Sequence, residues 1–318
     1  MDPKIIGQIE SLEQKFKNSG QDLGAYLDGL LYDRYLTYWD YIHLDTLLSL
    51  QIPKTHFPDE EIFIGYHQIT ELYFKLIIHE LKQIVDDKLQ QADFFRKKAE
   101  RINRYFRILI DSFDVMIMGM ERVQFLKFRV TLLPASGFQS AQFRKIEIYC
   151  TPLQHLVHAS KRDNFSEENT IEELFENLYW KTGATNTVTK EKTLTLKQFE
   201  YRYTPRFIRT AKEVYGHTLF HKYEQLPEKE KNNELLIKEL RKLDVNVNVN
   251  WLLMHMGAAY RYLSKEGAGK DISATGGTNW KDYLPPTFQN VQFFPNLWSP
   301  KELEEWGREW VTHTFNPK

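Results

Sequence analysis

Residues 59–85, DEEIFIGYHQITELYFKLIIHELKQIV, place Ile62, Tyr66, Ile69, Tyr73, Leu76 and Ile84 at helical spacing, which predicts an amphipathic helix several turns long with that stripe in the core. A neighbouring stripe holds Phe63, His67, Thr70 and Phe74, so an imidazole stands between aromatic rings where a plain core helix would carry Leu. A helix that lines a pocket has this pattern; so does a core histidine bonded to a carbonyl. Downstream, Asp93 is a candidate cap for a second long helix. Within it Ile102, Phe106, Leu109, Phe113, Met116, Met120 and Val123 step by fours and threes, the register of a helix packed along another, most simply antiparallel to 60–86.

The flanking segments predict further helices. Residues 4–18 carry Ile5, Ile6, Ile9, Leu12 and Phe16 among charges, an amphipathic helix that docks on something and is ended by Asn18-Ser19-Gly20. LTYWDYIHLDTLLSLQIP follows, a short helix with the phenols of Tyr38 and Tyr41 and an apolar face at Leu44, Leu47 and Leu48. In FLKFRVTLLPASGFQSAQFRKIEIY, Pro134 and Gly137 interrupt the period, Ser136 and Ser140 are cap candidates, and a new helix is expected from near Phe138. Arg129 and Arg144 flank that turn and could place a guanidinium beside it, the commoner reading of each being a solvated face. Residues 161–197 turn polar around one helix at 169–181, a surface excursion and not a domain boundary. Residues 195–223 are expected to be helical with a kink or restart at Pro205, and another helix is expected over about 227–243. VNVNVN at 245–250 alternates like a strand before the helical period resumes at Trp251, with His255, Ala258, Ala259 and Tyr262 on the same face. Gly257, Ala258 and Ala259 beside His255 would let a broad flat ligand approach. The tail from Pro285 ends in one short helix with Trp306 and Trp310 on a common face.

Composition narrows the classes. At 318 residues, 27% charged and 14% aromatic, the chain can bury a sizeable core, and without internal repeats it is read as a single domain over 1–318. A net charge of -1 and the lack of a long basic run exclude the electrostatic footprint of a nucleic-acid or anionic-membrane binder. The lone Cys150 excludes an intrachain disulfide framework and, with no charged-then-apolar leader at Met1, suits a reducing cytoplasm. No apolar run approaches the roughly 20 residues of a membrane helix. His217 and His221 have the i,i+4 spacing that can hold a metal, yet the motif lacks an internal Glu and an obvious third ligand. The stretch EGAGKDISATGGTNW can present amides and hydroxyls to an anion, and it lacks the glycine patterns of nucleotide-binding loops.

Four pieces, in order, resemble the tryptophan 2,3-dioxygenase family. They are Tyr-x-x-Tyr-x-x-Leu-Asp at Tyr38, Tyr41 and Asp45; FIGYHQITELYFK at 63–75, close to F-I-x-x-H-Q-x-x-E-L-W-F-K; FLKFRVTLLPASGFQSAQFRKIE at 125–147; and Trp251-x3-His255-x5-Arg261 followed by Thr275-Gly276-Gly277. The third follows the family pattern almost residue for residue. The chain differs from that pattern at Tyr73, where the family has Trp, at 274–279, where G-T-G-G-S-S-G is replaced, and in a longer gap between His255 and Thr275.

The resemblance implies an all-α helical bundle that binds haem b, of the tryptophan/indoleamine dioxygenase type. His255 matches the histidine that holds the iron, with Trp251, Ser136 and Gly137 at positions beside the haem. His67 matches the histidine facing the indole nitrogen, Arg129 the arginine that pairs with the substrate carboxylate, and Thr275 the hydroxyl near the substrate ammonium. Phe63, Phe125 and Leu132 match pocket walls. Tyr38, Tyr41 and Ile42 would complete the pocket of a neighbouring subunit in a homotetramer, through an N-terminal arm of about 1–50. The implied reaction joins dioxygen to L-tryptophan and opens the indole C2–C3 bond to give N-formylkynurenine. A haem oxygenase of the same fold with another aromatic substrate, a haem-binding protein without turnover, and a metal hydrolase built on His217 and His221 are the rivals.

Overall fold

The structure is a computed structural model that describes residues 1–33, 36–88, 91–132, 139–166, 168–185, 191–264, 272, 281 and 284–308. The expectations for Ser136, Gly137, Thr275 and Trp310 lie outside the described residues. Every regular element is helical; β pairing among the described residues amounts to isolated bridges of Val157 with Leu178 and Thr185 with Lys192. The all-α class expected from the sequence is the one observed. No helix among the described residues is long and apolar enough to cross a membrane.

By its contacts the chain divides into two compact units, residues 1–52 and 53–318. The first holds α1 (Pro3–Asn18), α2 (Leu23–Leu31), α3 (Tyr38–Ile42) and α4 (Leu44–Leu48). Asp2 caps α1 by accepting the Lys4 N–H at 2.8 Å, and Gly20 ends the turn behind it in the left-handed region at φ +68. Phe16 and Tyr26, 5.2 Å apart, join α1 to α2. The single helix expected over 36–53 is two, because His43 takes φ +51 and stops α3. Neither α1, α3 nor α4 buries a residue, and the phenols of Tyr38 and Tyr41 are open to solvent.

The second unit is organised on α5 (Asp59–Asp86). Asp59, Glu60 and Glu61 in its first turn complement the helix dipole. Glu60 also accepts the N–H groups of Lys54 at 2.9 Å and Thr55 at 2.7 Å, which pins the incoming chain. The buried face differs from the stripe the sequence favours. Tyr66, Thr70, Phe74, Ile77, Leu81 and Ile84 are inside, while Ile69 and Leu76 are 52% and 45% exposed. A helix apolar on several faces does not reveal from spacing alone which face its neighbours cover.

Antiparallel to α5 runs α6 (Ala92–Asp111), as the partners 80 with 98, 74 with 106 and 66 with 112 require. Asp93 lies inside its first turn, and Gln91 holds the cap position. The long helix expected to reach Val123 stops at Asp111 and gives way to α7 (Asp114–Ile117) and α8 (Arg122–Phe128). The stripe stays buried through Met120, but the backbone folds back at Gly119, where a Cβ would stand 2.5 Å from the Val115 carbonyl oxygen, so only glycine closes the turn. Val123 is therefore on the outside, 63% exposed.

Ser140 caps α9 (Ala141–Cys150) by accepting the Phe143 N–H, and α9 lies across α5 through Phe74 and Phe143 at 5.6 Å. The polar excursion carries α10 (Ala159–Arg162), then α11 (Ile171–Glu176) and α12 (Tyr179–Thr182) in place of one helix at 169–181. α13 (Leu194–Glu213) continues through Pro205, and α14 (Leu219–Glu224), α15 (Glu228–Lys231) and α16 (Glu234–Val245) follow.

The strand-like VNVNVN is a π-helical turn, Asn246–Asn250, that joins α16 to α17 (Trp251–Leu263). Both residue types are inside. Val247 and Val249 are fully buried, while Asn246 donates to Asn103 at 3.1 Å and Asn248 to Asp244 at 3.0 Å, so period two carried no sidedness here. Asp244 is the anchor of this turn. Fully buried, it accepts from the N–H groups of Phe293 and Phe294 and from the Trp298 indole at 3.0 Å, tying the C-terminal segment to α16. Trp306 closes a small cluster with Val249, Leu253 and Met256.

Burial pushes the Asp244 carboxyl up to about 6 despite those donors. Folding therefore favours its protonated form, and its contribution is fully present below the ordinary carboxylate value and declines as pH rises toward 6. Asp244→Asn puts an NH2, which cannot accept, where even the protonated carboxyl keeps accepting lone pairs on both oxygens, and is expected to cost about 3 kcal/mol in urea denaturation near pH 5. That cost should shrink when the measurement is repeated at pH 7; a cost that grows with pH would contradict the assignment.

Candidate active site

One turn before His255 on α17, the Trp251 carbonyl lies 2.9 Å from the imidazole Nδ1. A carbonyl oxygen only accepts, so Nδ1 carries the proton and Nε2 keeps its lone pair. The rings of Trp251 and Phe113 stand edge-on to the imidazole at 4.6 and 4.8 Å. Burial, joined by the charges of His67 and Arg144, outweighs the bond to Trp251 and lowers the His255 pKa to about 4. At physiological pH the ring is neutral.

His67 repeats the device on α5. Its Nδ1 donates to the Phe63 carbonyl at 2.7 Å and again leaves Nε2 as an acceptor. Phe63 lies 4.1 Å from it and Tyr66 stands edge-on at 5.8 Å. Burial lowers this pKa too, opposed by the Phe63 carbonyl and by Glu71 one turn on. Solvent reaches the ring. Tyr66 and Phe113, 5.8 Å apart, join the two histidines into one aromatic wall.

The ends of α8 and α17 shape the same region. Phe125 and Phe128 pack on Phe63 at 6.2 and 5.8 Å, and Phe125 also meets Tyr262 of α17 at 4.5 Å. Arg129 directly follows Phe128 and opens the tight 3-10 turn Arg129–Leu132. It is half-buried, and burial lowers its pKa from the ordinary arginine value. Leu132 is half-buried against the core. Tyr38, Tyr41 and Ile42 belong to the N-terminal unit.

Two expectations change. Arg144 is not solvated; it is buried, bonded to Glu147 at 2.9 Å and to the Tyr179 hydroxyl at 2.9 Å. His217 is exposed in the turn before α14, and His221 shares a hydrogen bond with Thr218 through Nδ1, so the H-T-L-F-H spacing is not that of two ligands on one helix. Sequence reasoning missed Tyr66 and Phe113 as pocket wall, because both read as core stripe. It also missed Glu71, although its spacing four residues after His67 was a signal.

These features describe an all-α protein in which two carbonyl-bonded histidines on different helices are linked by a run of aromatic rings. The tryptophan 2,3-dioxygenase family model matches residues 31–251, well over half of the chain, and the chain belongs to that family. The match ends at Trp251, just before His255. Among relatives, the tryptophan 2,3-dioxygenase of Herpetosiphon aurantiacus is 44% identical over 132 residues, 38% of this chain and 50% of its own length. That of Ruegeria sp. is 44% identical over 115 residues (35% and 40%), and that of Bacillus thuringiensis strain Al Hakam 40% over 135 residues (40% and 46%). The chain spans about half the length of the curated relatives it matches.

The tautomers can be checked directly. In nitrogen-resolved imidazole spectra of the haem-free protein, His255 should titrate near 4 and remain the Nδ1–H tautomer above that. A midpoint at the ordinary histidine value, or an Nε2–H tautomer, would contradict the geometry.

Proposed function

We propose that this chain is a haem-dependent dioxygenase that opens the C2–C3 bond of L-tryptophan to give N-formylkynurenine, acting in the cytoplasm as a homotetramer. The observation that carries this reading is the pair of neutral imidazoles, His67 and His255, each with Nε2 left free by an Nδ1–H bond to a carbonyl. Family membership supports the reaction class.

The residues fit a haem. His255 would hold its iron through the unprotonated imidazole nitrogen, and is suited by its backing of Trp251 and Phe113 and its neutrality. The half-buried Gly257, Ala258 and Ala259 keep that helix face low; a methyl added at Gly257 would meet only Ile117, at 3.6 Å. When bound, the haem supplies the iron centre at which dioxygen becomes reactive toward the indole.

The protein's own part is orientation. Indole offers one N–H donor, and the unprotonated Nε2 of His67 is an acceptor for it. Phe63 and Phe125 give the ring an apolar wall, with Leu132 at its edge. Arg129 is half-buried, where a guanidinium–carboxylate pair is stronger than in water, so it suits the substrate carboxylate. Roles for Ser136 and Gly137 beside the haem, for Thr275 at the ammonium, and for Tyr38, Tyr41 and Ile42 across a subunit boundary rest on the resemblance. The altered 274–279 segment favours a second reading, the same chemistry on another aromatic compound.

Three variants test the roles. His255→Ala should abolish stable haem binding and keep the helical spectrum; normal haem content would point to another ligand. His67→Ala should keep haem and slow turnover, and loss of haem would mean the two histidines are reversed. Arg129→Leu should weaken saturation by L-tryptophan roughly thirty-fold or more, from about 2–5 kcal/mol for a desolvated charge pair, while tryptamine loses little. Equal losses for both ligands would assign Arg129 to the fold or the haem, and wild-type preference for tryptamine would favour the second reading.

A further inference from the structure

Further along α5 from His67, α5, α9 and α13 surround an open cleft of about 480 Å³. Lys75 and Lys82 reach it from α5, Lys145 from α9 and Arg206 from α13. The single carboxylate in its lining, Glu71, is already engaged: Ser140 donates to it at 2.7 Å and Gln142 at 2.8 Å. None of the four cations forms an ion pair among the described residues. Elsewhere this protein pairs such groups, as Arg96 and Lys97 do with Asp93 on α6. Asp86 and Glu213 act on the Tyr149 phenol at one end of the cleft without lining it. Four like charges converging from three helices on one concavity repel one another, and an anion seated among them removes that cost.

We propose that this cleft binds a small phosphate-bearing ligand with two or more negative charges. Its volume lies in the range of small-molecule sites, about 300–1,000 Å³, and is too small to follow a nucleic-acid strand. Cations arriving from three directions suit the several oxygens of a phosphate group, whereas a lone carboxylate engages donors in one plane. Tyr203 borders the cleft with its ring packed against Phe207 and the guanidinium groups of Arg202 and Arg206, 5.5 and 5.9 Å from its centroid. The cleft shares Glu71 with the surroundings of His67, but none of its four cations acts on either histidine, so the proposal does not rest on the oxygenase reading.

The test is calorimetric titration of the full chain with ADP and with pyrophosphate at low ionic strength, and again at higher salt. Saturable binding that weakens with salt is expected, with a loss of about tenfold in Lys82→Gln/Arg206→Gln. Both side chains are exposed, so helical content should be unchanged. A second pair, Lys75→Gln/Lys145→Gln, should give a similar loss. Unaltered affinity in both double variants, or no saturation in the wild type in the millimolar range, would overturn the proposal. Preference for a single-stranded oligonucleotide over ADP at equal phosphate concentration would also overturn it, in favour of an extended polyanion.

Discussion

The bond from the His255 Nδ1–H to the Trp251 carbonyl is the constraint on which the pocket depends. It fixes which nitrogen holds the proton, holds the ring edge-on to Phe113 and Trp251, and competes with burial for control of the ring's charge. Burial wins, and the buried Arg144 adds to it. Arg144 is itself held by Glu147 and Tyr179, so a structural ion pair on α9 helps keep a histidine on α17 neutral. His67 has the same bond one helix away, and Glu71 moderates its burial.

The support for α17 lies in the turn before it. A π turn widens the helix, and such turns recur where a side chain must be re-aimed. Asn248 donates to Asp244, Asn246 donates to Asn103 on α6, and Asp244 accepts from the passing C-terminal segment, so buried polar groups with partners hold the turn. Trp251 then starts α17 inside the aromatic cluster of Phe74, Phe113 and Phe143. Packing, polar satisfaction and imidazole geometry are thus consecutive along one stretch of chain.

Much of this was legible in the sequence where a residue's chemistry and its spacing agreed. His67 among aromatic residues and His255 beside small ones stood out, and the structure gives both the same carbonyl-bonded, ring-flanked setting. Side chains that serve as core and as wall did not stand out: Tyr66 and Phe113 read as stripe residues, because periodicity reports burial and says nothing of what a buried ring faces. Ile69 and Leu76 show the converse, apolar and regularly spaced yet exposed. The break at Gly119 was hidden because the stripe continues across it, and VNVNVN misled because buried amides with partners are indistinguishable from exposed ones in a pattern of polarity. Arg144 misled for the same reason.

The central claim is that His255 and His67 serve a haem-dependent insertion of both atoms of dioxygen into L-tryptophan. Its most direct test is turnover of the haem-loaded ferrous protein with L-tryptophan under isotopically labelled dioxygen, followed by mass analysis of the product. The account predicts N-formylkynurenine carrying two labelled oxygen atoms. A product with one labelled oxygen, or haem binding with no consumption of dioxygen, would contradict it.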